Sequence, residues 1–133
     1  EEVNLVSIDE KANLGWAERE GFHTFYEGSS CSEVPEMTDS NYVDPVLAYP
    51  HQNGNCSITG GYWMDWGPEV LREGYLYGDF CTGAIWHLRE SHERMGWDET
   101  LVGYSGGMIV GFGEGLDGEI LIFHWTGDIV KIS

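Results

Sequence analysis

Apolar and polar positions along this chain fall into short runs broken by glycine, not into long one-sided faces. Two of these runs are versions of one pattern. "GYLYGDFCTGAIWHL", Gly74–Leu88, matches "GEILIFHWTGDIVKI", Gly118–Ile132, at an offset of 44 residues. Gly74 falls on Gly118, Thr82 on Thr126, Gly83 on Gly127 and Ile85 on Ile129. Apolar partners fill the same places: Leu76 on Ile120, Tyr77 on Leu121 and Leu88 on Ile132. Each copy predicts a strand, a Thr-Gly turn and a returning strand, which is a β-hairpin. Hairpin pairs repeating every roughly 40–50 residues have the period of a β-propeller blade. A β-sandwich with a chance internal likeness is the competing architecture.

The flanking segments extend the pattern. Cys56–Trp63 predicts the inner strand of a first blade and Thr100–Tyr104 its outer strand. Met108–Phe112, ahead of "GEGLDG", predicts the inner strand of a second blade. Leu5–Ile8 predicts a strand that belongs to an earlier blade or completes another one. Residues 27–45 are polar with two prolines and read as a long surface loop. The expected fold is all-β: a partial β-propeller of about two four-stranded antiparallel blades, packed face to face. The chain reads as a single domain, 1–133, with a blade edge over 1–26, a blade over 46–104 and a last blade over 105–133.

Composition agrees with short strands and tight turns. Nineteen glycines and an aromatic set of six Trp, seven Tyr and five Phe favour sheets over helices. Charge narrows the partners. Asp and Glu number 23 against six Lys and Arg, and a net charge of −17 repels nucleic-acid phosphates and anionic membranes. The acidity reads as a solvated surface. Divalent-cation binding is the sharper alternative, but no calcium loop of the D-x-D-x-D-G type occurs. No apolar run approaches the ~20 residues of a membrane span. The opening "EEVNLVSID" reads as a strand already under way, without initiator Met or leader, and suggests a piece of something longer.

"PVLAYPHQNGNCSITGGY", "GYLYGDFCTGAIWHL" and "GFGEGLDGEI...GDIVKI", after "EEVNLV...ANLGW", resemble the C-terminal part of the glucose/sorbosone dehydrogenase family. That family comprises six-bladed propellers, among them soluble quinoprotein sugar dehydrogenases and hedgehog-interacting-protein-like proteins. The resemblance implies the last two blades and an edge of the one before. The family's catalytic histidine would lie N-terminal to them. None of His23, His51, His87, His92 or His124 matches its motif, so no catalytic residue is expected here. The family's cofactor is pyrroloquinoline quinone (PQQ), a tricarboxylate held by a lysine and two arginines. The matching positions are Cys81, Met108 and Val110. Burying that charge without cations is costly, so no cofactor-binding residue is assigned and no quinone is expected in this chain. Calcium is possible: Glu2 of "EEVN" and the Leu14 carbonyl of "NLGW" match family ligands, at a spacing two residues longer.

Three cysteines remain to be placed. The family carries cysteines in both the "SITGGY" and "YGDFCTG" motifs, and neighbouring antiparallel strands bring such positions within disulfide range. Cys56 and Cys81 are therefore expected to pair, closing a loop of about 25 residues, worth roughly 3 kcal/mol. Cys31 would stay free. A zinc site is the alternative, though its usual spacings are closer. A disulfide implies an extracellular or periplasmic location. Asn55-Cys56-Ser57 matches a glycosylation acceptor, which burial of Cys56 would block. Trp63, Trp86 and Trp125 are expected to pack between blades, with stacking on a sugar as the alternative. Bare end faces carrying Leu5, Ile120 and Ile129 imply association through blade faces, as a homo-dimer or with a companion chain. Val3–Ile8 would serve as the strand added beside Asp128–Ile132, either within one molecule or across to a second copy. Two functional expectations follow from the resemblance. One is a quinone-dependent sugar or aldehyde dehydrogenase, active when further blades complete it. The other is a non-catalytic module binding a ligand or partner.

Overall fold

The computed structural model describes residues 1–25 and 41–132. Cys31 and residues 27–40 of the expected loop lie outside them. The chain divides into two compact units, Glu1–Pro50 and His51–Ser133.

The second unit is two antiparallel sheets. Strands β5 (Ile58–Met64), β6 (Gly74–Asp79), β7 (Ala84–Glu90) and β8 (Trp97–Tyr104) form a four-stranded meander in chain order. Strands β9 (Ile109–Glu114), β10 (Ile120–His124) and β11 (Ile129–Ile132) form a three-stranded one. The only helix among the described residues is a 3-10 turn at Glu69–Leu71. The fold is thus all-β, built from small antiparallel sheets, none of them closed, which fits a partial propeller. The second sheet has three strands where four were expected, and its β11 edge pairs with no described strand.

The repeat is visible as two hairpins. Tyr77 faces Trp86 and Gly78 faces Ile85 in the first, while Ile122 faces Val130 and Phe123 faces Ile129 in the second. Alternation along the strands gives each sheet one inward face. Met64, Leu76 and Ile85 from the first sheet meet Ile109, Ile120 and Ile122 from the second, with Leu71 beside them. Tyr62, Trp66, Phe112, Val130 and Ile132 surround this core. Gly61 lies against β6 so closely that a Cβ would sit 2.2 Å from the Leu76 carbonyl oxygen, beside a shift in the β5–β6 register. The Thr59 hydroxyl donates to the Ile109 carbonyl at 3.0 Å and joins β5 to β9.

Several expected placements differ. Ile120 is core, not end face, whereas Leu5 and Ile129 are exposed at 61% and 62%. Trp63 and Trp125 are 50% and 70% exposed and stand outside the core. Trp66 is the tryptophan packed against it.

The first unit is held by short pairings. Strand β1 (Glu2–Val3) pairs with β4 (Leu47–Ala48), and β2 (Arg19–Glu20) pairs with β3 (His23–Thr24), both antiparallel. Leu5–Ile8 is not a strand, and the N-terminal segment joins Leu47–Ala48 instead of β11. Leu47 and Ala48 accordingly lie in this unit rather than in the four-stranded sheet.

Candidate functional site

The turn between β6 and β7 carries the densest chemistry of the second unit. Asp79 ends β6 with its carboxylate fully buried. One oxygen, Oδ2, accepts the backbone N–H groups of Cys56 and Ser57 at 2.9 and 3.1 Å. The other, Oδ1, accepts the Thr82 N–H at 2.9 Å and the Thr82 hydroxyl at 3.0 Å. Four donors replace the water this carboxylate gives up. Two residues on, Cys81 forms the expected disulfide with Cys56, with Cα atoms 5.7 Å apart. One segment, 55–57, is thus fixed to one turn by a covalent bridge and by a buried charge. Gly83 completes the turn at φ 68°, where a side chain would be strained. A Cβ there would also meet the Gly107 carbonyl oxygen at 2.4 Å.

Neighbouring turns gather at the same place. The Trp125 N–H donates to the Met108 carbonyl at 2.9 Å, and its ring meets Phe80 edge-on at 6.2 Å. Met108 precedes β9, and Val110 is an exposed residue within it. These are the positions at which the resemblance places quinone-binding cations. They present a cysteine consumed by a disulfide, a thioether and an isopropyl group. None can neutralise a carboxylate, so these positions do not fit a tricarboxylate quinone.

The two calcium candidates share a feature of the first unit. Glu2 and Leu14 line an open depression together with Glu1, Trp16, Arg19 and Glu20. Both Glu2 oxygens already accept hydrogen bonds, from the Asn4 amide and from the Gly21 N–H, each at 2.9 Å. Among the described residues no group of three or more His, Cys, Asp or Glu is placed to hold a metal ion. Beside the depression Arg19 is buried, pairs with Asp44 at 2.8 Å and lies over the Tyr42 ring at 5.7 Å. Its role had no counterpart in the sequence reading.

Two of the five histidines, His87 and His124, are buried. Burial holds the His87 imidazole below its ordinary value of 6.5; a hydrogen bond with the Leu71 backbone opposes this, and the Arg89 charge adds to it. The folded state therefore binds fewer protons than the unfolded chain. The stability that the neutral, buried His87 contributes is full above about pH 6.5 and is lost as pH falls through that value toward the lowered one. Urea midpoints measured from about pH 7.5 to about pH 5 should fall more steeply for the native chain than for His87→Gln. Parallel slopes would show that His87 contributes nothing.

The Cys56–Cys81 bridge is of a kind that oxidising compartments sustain. No helix among the described residues is long and apolar enough to cross a membrane. Fold and clasp together define an all-β protein with blade-like antiparallel sheets. No protein-family model and no solved structure matches the chain.

Proposed function

We propose that this chain is the C-terminal propeller portion of a glucose/sorbosone dehydrogenase-like protein, and that by itself it is not a catalyst. The observation that carries this reading is the fate of Cys81. At the position where cofactor-using members place a lysine, this chain has half of a structural disulfide. Met108 and Val110 stand at the arginine positions. The turn acts as a clasp and not as a quinone cradle. The direct test supplies PQQ, calcium and a dye acceptor with glucose and related aldoses. No spectral change of the quinone and no dye reduction are expected. Turnover would overturn the reading in favour of a sugar or aldehyde dehydrogenase. The same assay with further blades supplied tests the alternative that completion restores activity. Calcium alone, titrated against the tryptophan fluorescence of the native chain and of Glu2→Gln, tests the remaining metal reading.

A second reading, a non-catalytic module that binds a partner, is favoured by the open edge of β11. Ile129 is exposed there, and no described strand pairs with that edge. Open edges and apolar faces favour association. We expect assembly through blade faces, as a dimer or with a companion chain, in an extracellular or periplasmic setting. Nucleic acid and membranes are not expected partners of so acidic a chain. Size exclusion with light scattering should give a mass above one chain. A cooperatively melting monomer at micromolar concentration would end this reading.

A further inference from the structure

We infer that Asn53 is a site of spontaneous covalent modification, converted to aspartate and isoaspartate through a cyclic imide formed with Gly54. Residues 52–55 make a tight turn. The Asn55 N–H donates to the Gln52 carbonyl at 3.0 Å, and Asn53 and Gly54 have φ of 54° and 89°. These are the signs of a type I′ turn, for which Asn-Gly is the preferred pair. Both residues are exposed, and the turn belongs to no strand.

The chemistry needs only water. The Gly54 backbone nitrogen attacks the Asn53 side-chain carbonyl carbon, Cγ. A bond forms between them, and the side-chain amide leaves as ammonia, taking up the proton that the backbone nitrogen gives up. The product is a five-membered imide whose nitrogen is shared by Cγ and the backbone carbonyl carbon. Water then opens either bond. Hydrolysis at Cγ yields aspartate. Hydrolysis at the backbone carbon yields isoaspartate, with the main chain rerouted through the side chain. Nothing is oxidised or reduced.

Position selects Asn53 among the asparagines. Attack by the following nitrogen is hindered by that residue's side chain, and glycine has none. Asn4, Asn13, Asn41 and Asn55 precede Leu5, Leu14, Tyr42 and Cys56. The Cys56 nitrogen is further occupied, since its N–H is held by Asp79 at 2.9 Å. Asn53 must rotate out of its turn conformation to react. One backbone bond, from the Asn55 N–H to the Gln52 carbonyl, closes the turn, and the anchored segment begins only after the exposed Asn53 and Gly54. The conversion adds a negative charge, and isoaspartate also lengthens the main chain just ahead of Asn55, whose side-chain oxygen accepts the Thr82 hydroxyl at 3.2 Å.

The test incubates the folded, oxidised chain in warm, mildly alkaline buffer beside a denatured sample. Both are then reduced, digested and mapped by mass spectrometry, with isoaspartyl methyltransferase labelling. The expected result is loss of the Asn53 amide in the folded chain, giving two products of aspartate mass, of which the methyltransferase labels one. Asn53→Gln should lose the label on the peptide that carries position 53, while any label from Asp117–Gly118 maps to a separate peptide. Retention of the amide in the folded chain, with conversion in the denatured one, would show that the turn protects Asn53 and overturn the inference. Conversion in neither sample, or labelling centred on another asparagine, would overturn it as well.

Discussion

Asp79→Asn should destabilise the second unit by roughly 2–4 kcal/mol, the combined scale of lost charge-assisted hydrogen bonds and a buried donor left unpaired. The reason is geometric. Each Asp79 oxygen accepts at least one backbone N–H, from Cys56 and Ser57 on one side and from Thr82 on the other. Asparagine has one oxygen and one NH₂ group. Whichever way the amide is turned, its NH₂ points at a backbone N–H, so donor meets donor in a fully buried site. The Thr82 hydroxyl can rotate to accept, but the backbone cannot. Urea unfolding of the full chain measures the effect. A loss below about 0.5 kcal/mol, the ordinary size of a surface substitution, would show that Asp79 does not hold the turn.

Removing the bridge should cost a similar amount. With Cys56 and Cys81 both replaced by serine, the loop of 25 residues is released in the unfolded chain, worth roughly 3 kcal/mol. The two losses should not add. Bridge and carboxylate hold the same segment to the same turn, so once one is gone the segment can leave and the other has less to hold. A cycle of the native chain, Asp79→Asn, the double serine variant and their combination reads this coupling. Strict additivity would mean that the two devices act independently.

The hairpins were legible in the sequence because their signals are local. A Thr-Gly turn, a two-residue alternation and a second copy 44 residues away all describe the same element. The Cys56–Cys81 pair was legible through resemblance. Asp79 was missed although a signal exists: Asp three residues before Thr, at the end of a strand, is an arrangement in which the carboxylate takes turn N–H groups. Its further reach to Cys56 and Ser57 depends on tertiary packing. The pairing of β1 with β4 left no trace, because two residues carry no periodicity and their partners lie some 45 positions away. Ile120 was placed on the wrong side for a reason the repeat itself could have corrected. It aligns with Leu76, and both are core. Trp63 was misread because size argues for burial, whereas alternation sends it to the face opposite Met64.

The clasp also bears on the order in which the chain folds as it is made. Cys56 and Cys81 are joined near the ends of β5 and β6, adjacent strands of a meander, and the Cys56, Ser57 and Thr82 donors to Asp79 precede residue 83. Everything the clasp requires therefore exists before β9, β10 and β11 have been synthesised. A chain emerging N-terminus first into an oxidising compartment meets its covalent partner early. If the bridge closes as soon as residue 81 is available, the first hairpins are secured before the second sheet is made, and Met64, Leu76 and Ile85 gain their partners Ile109, Ile120 and Ile122 last.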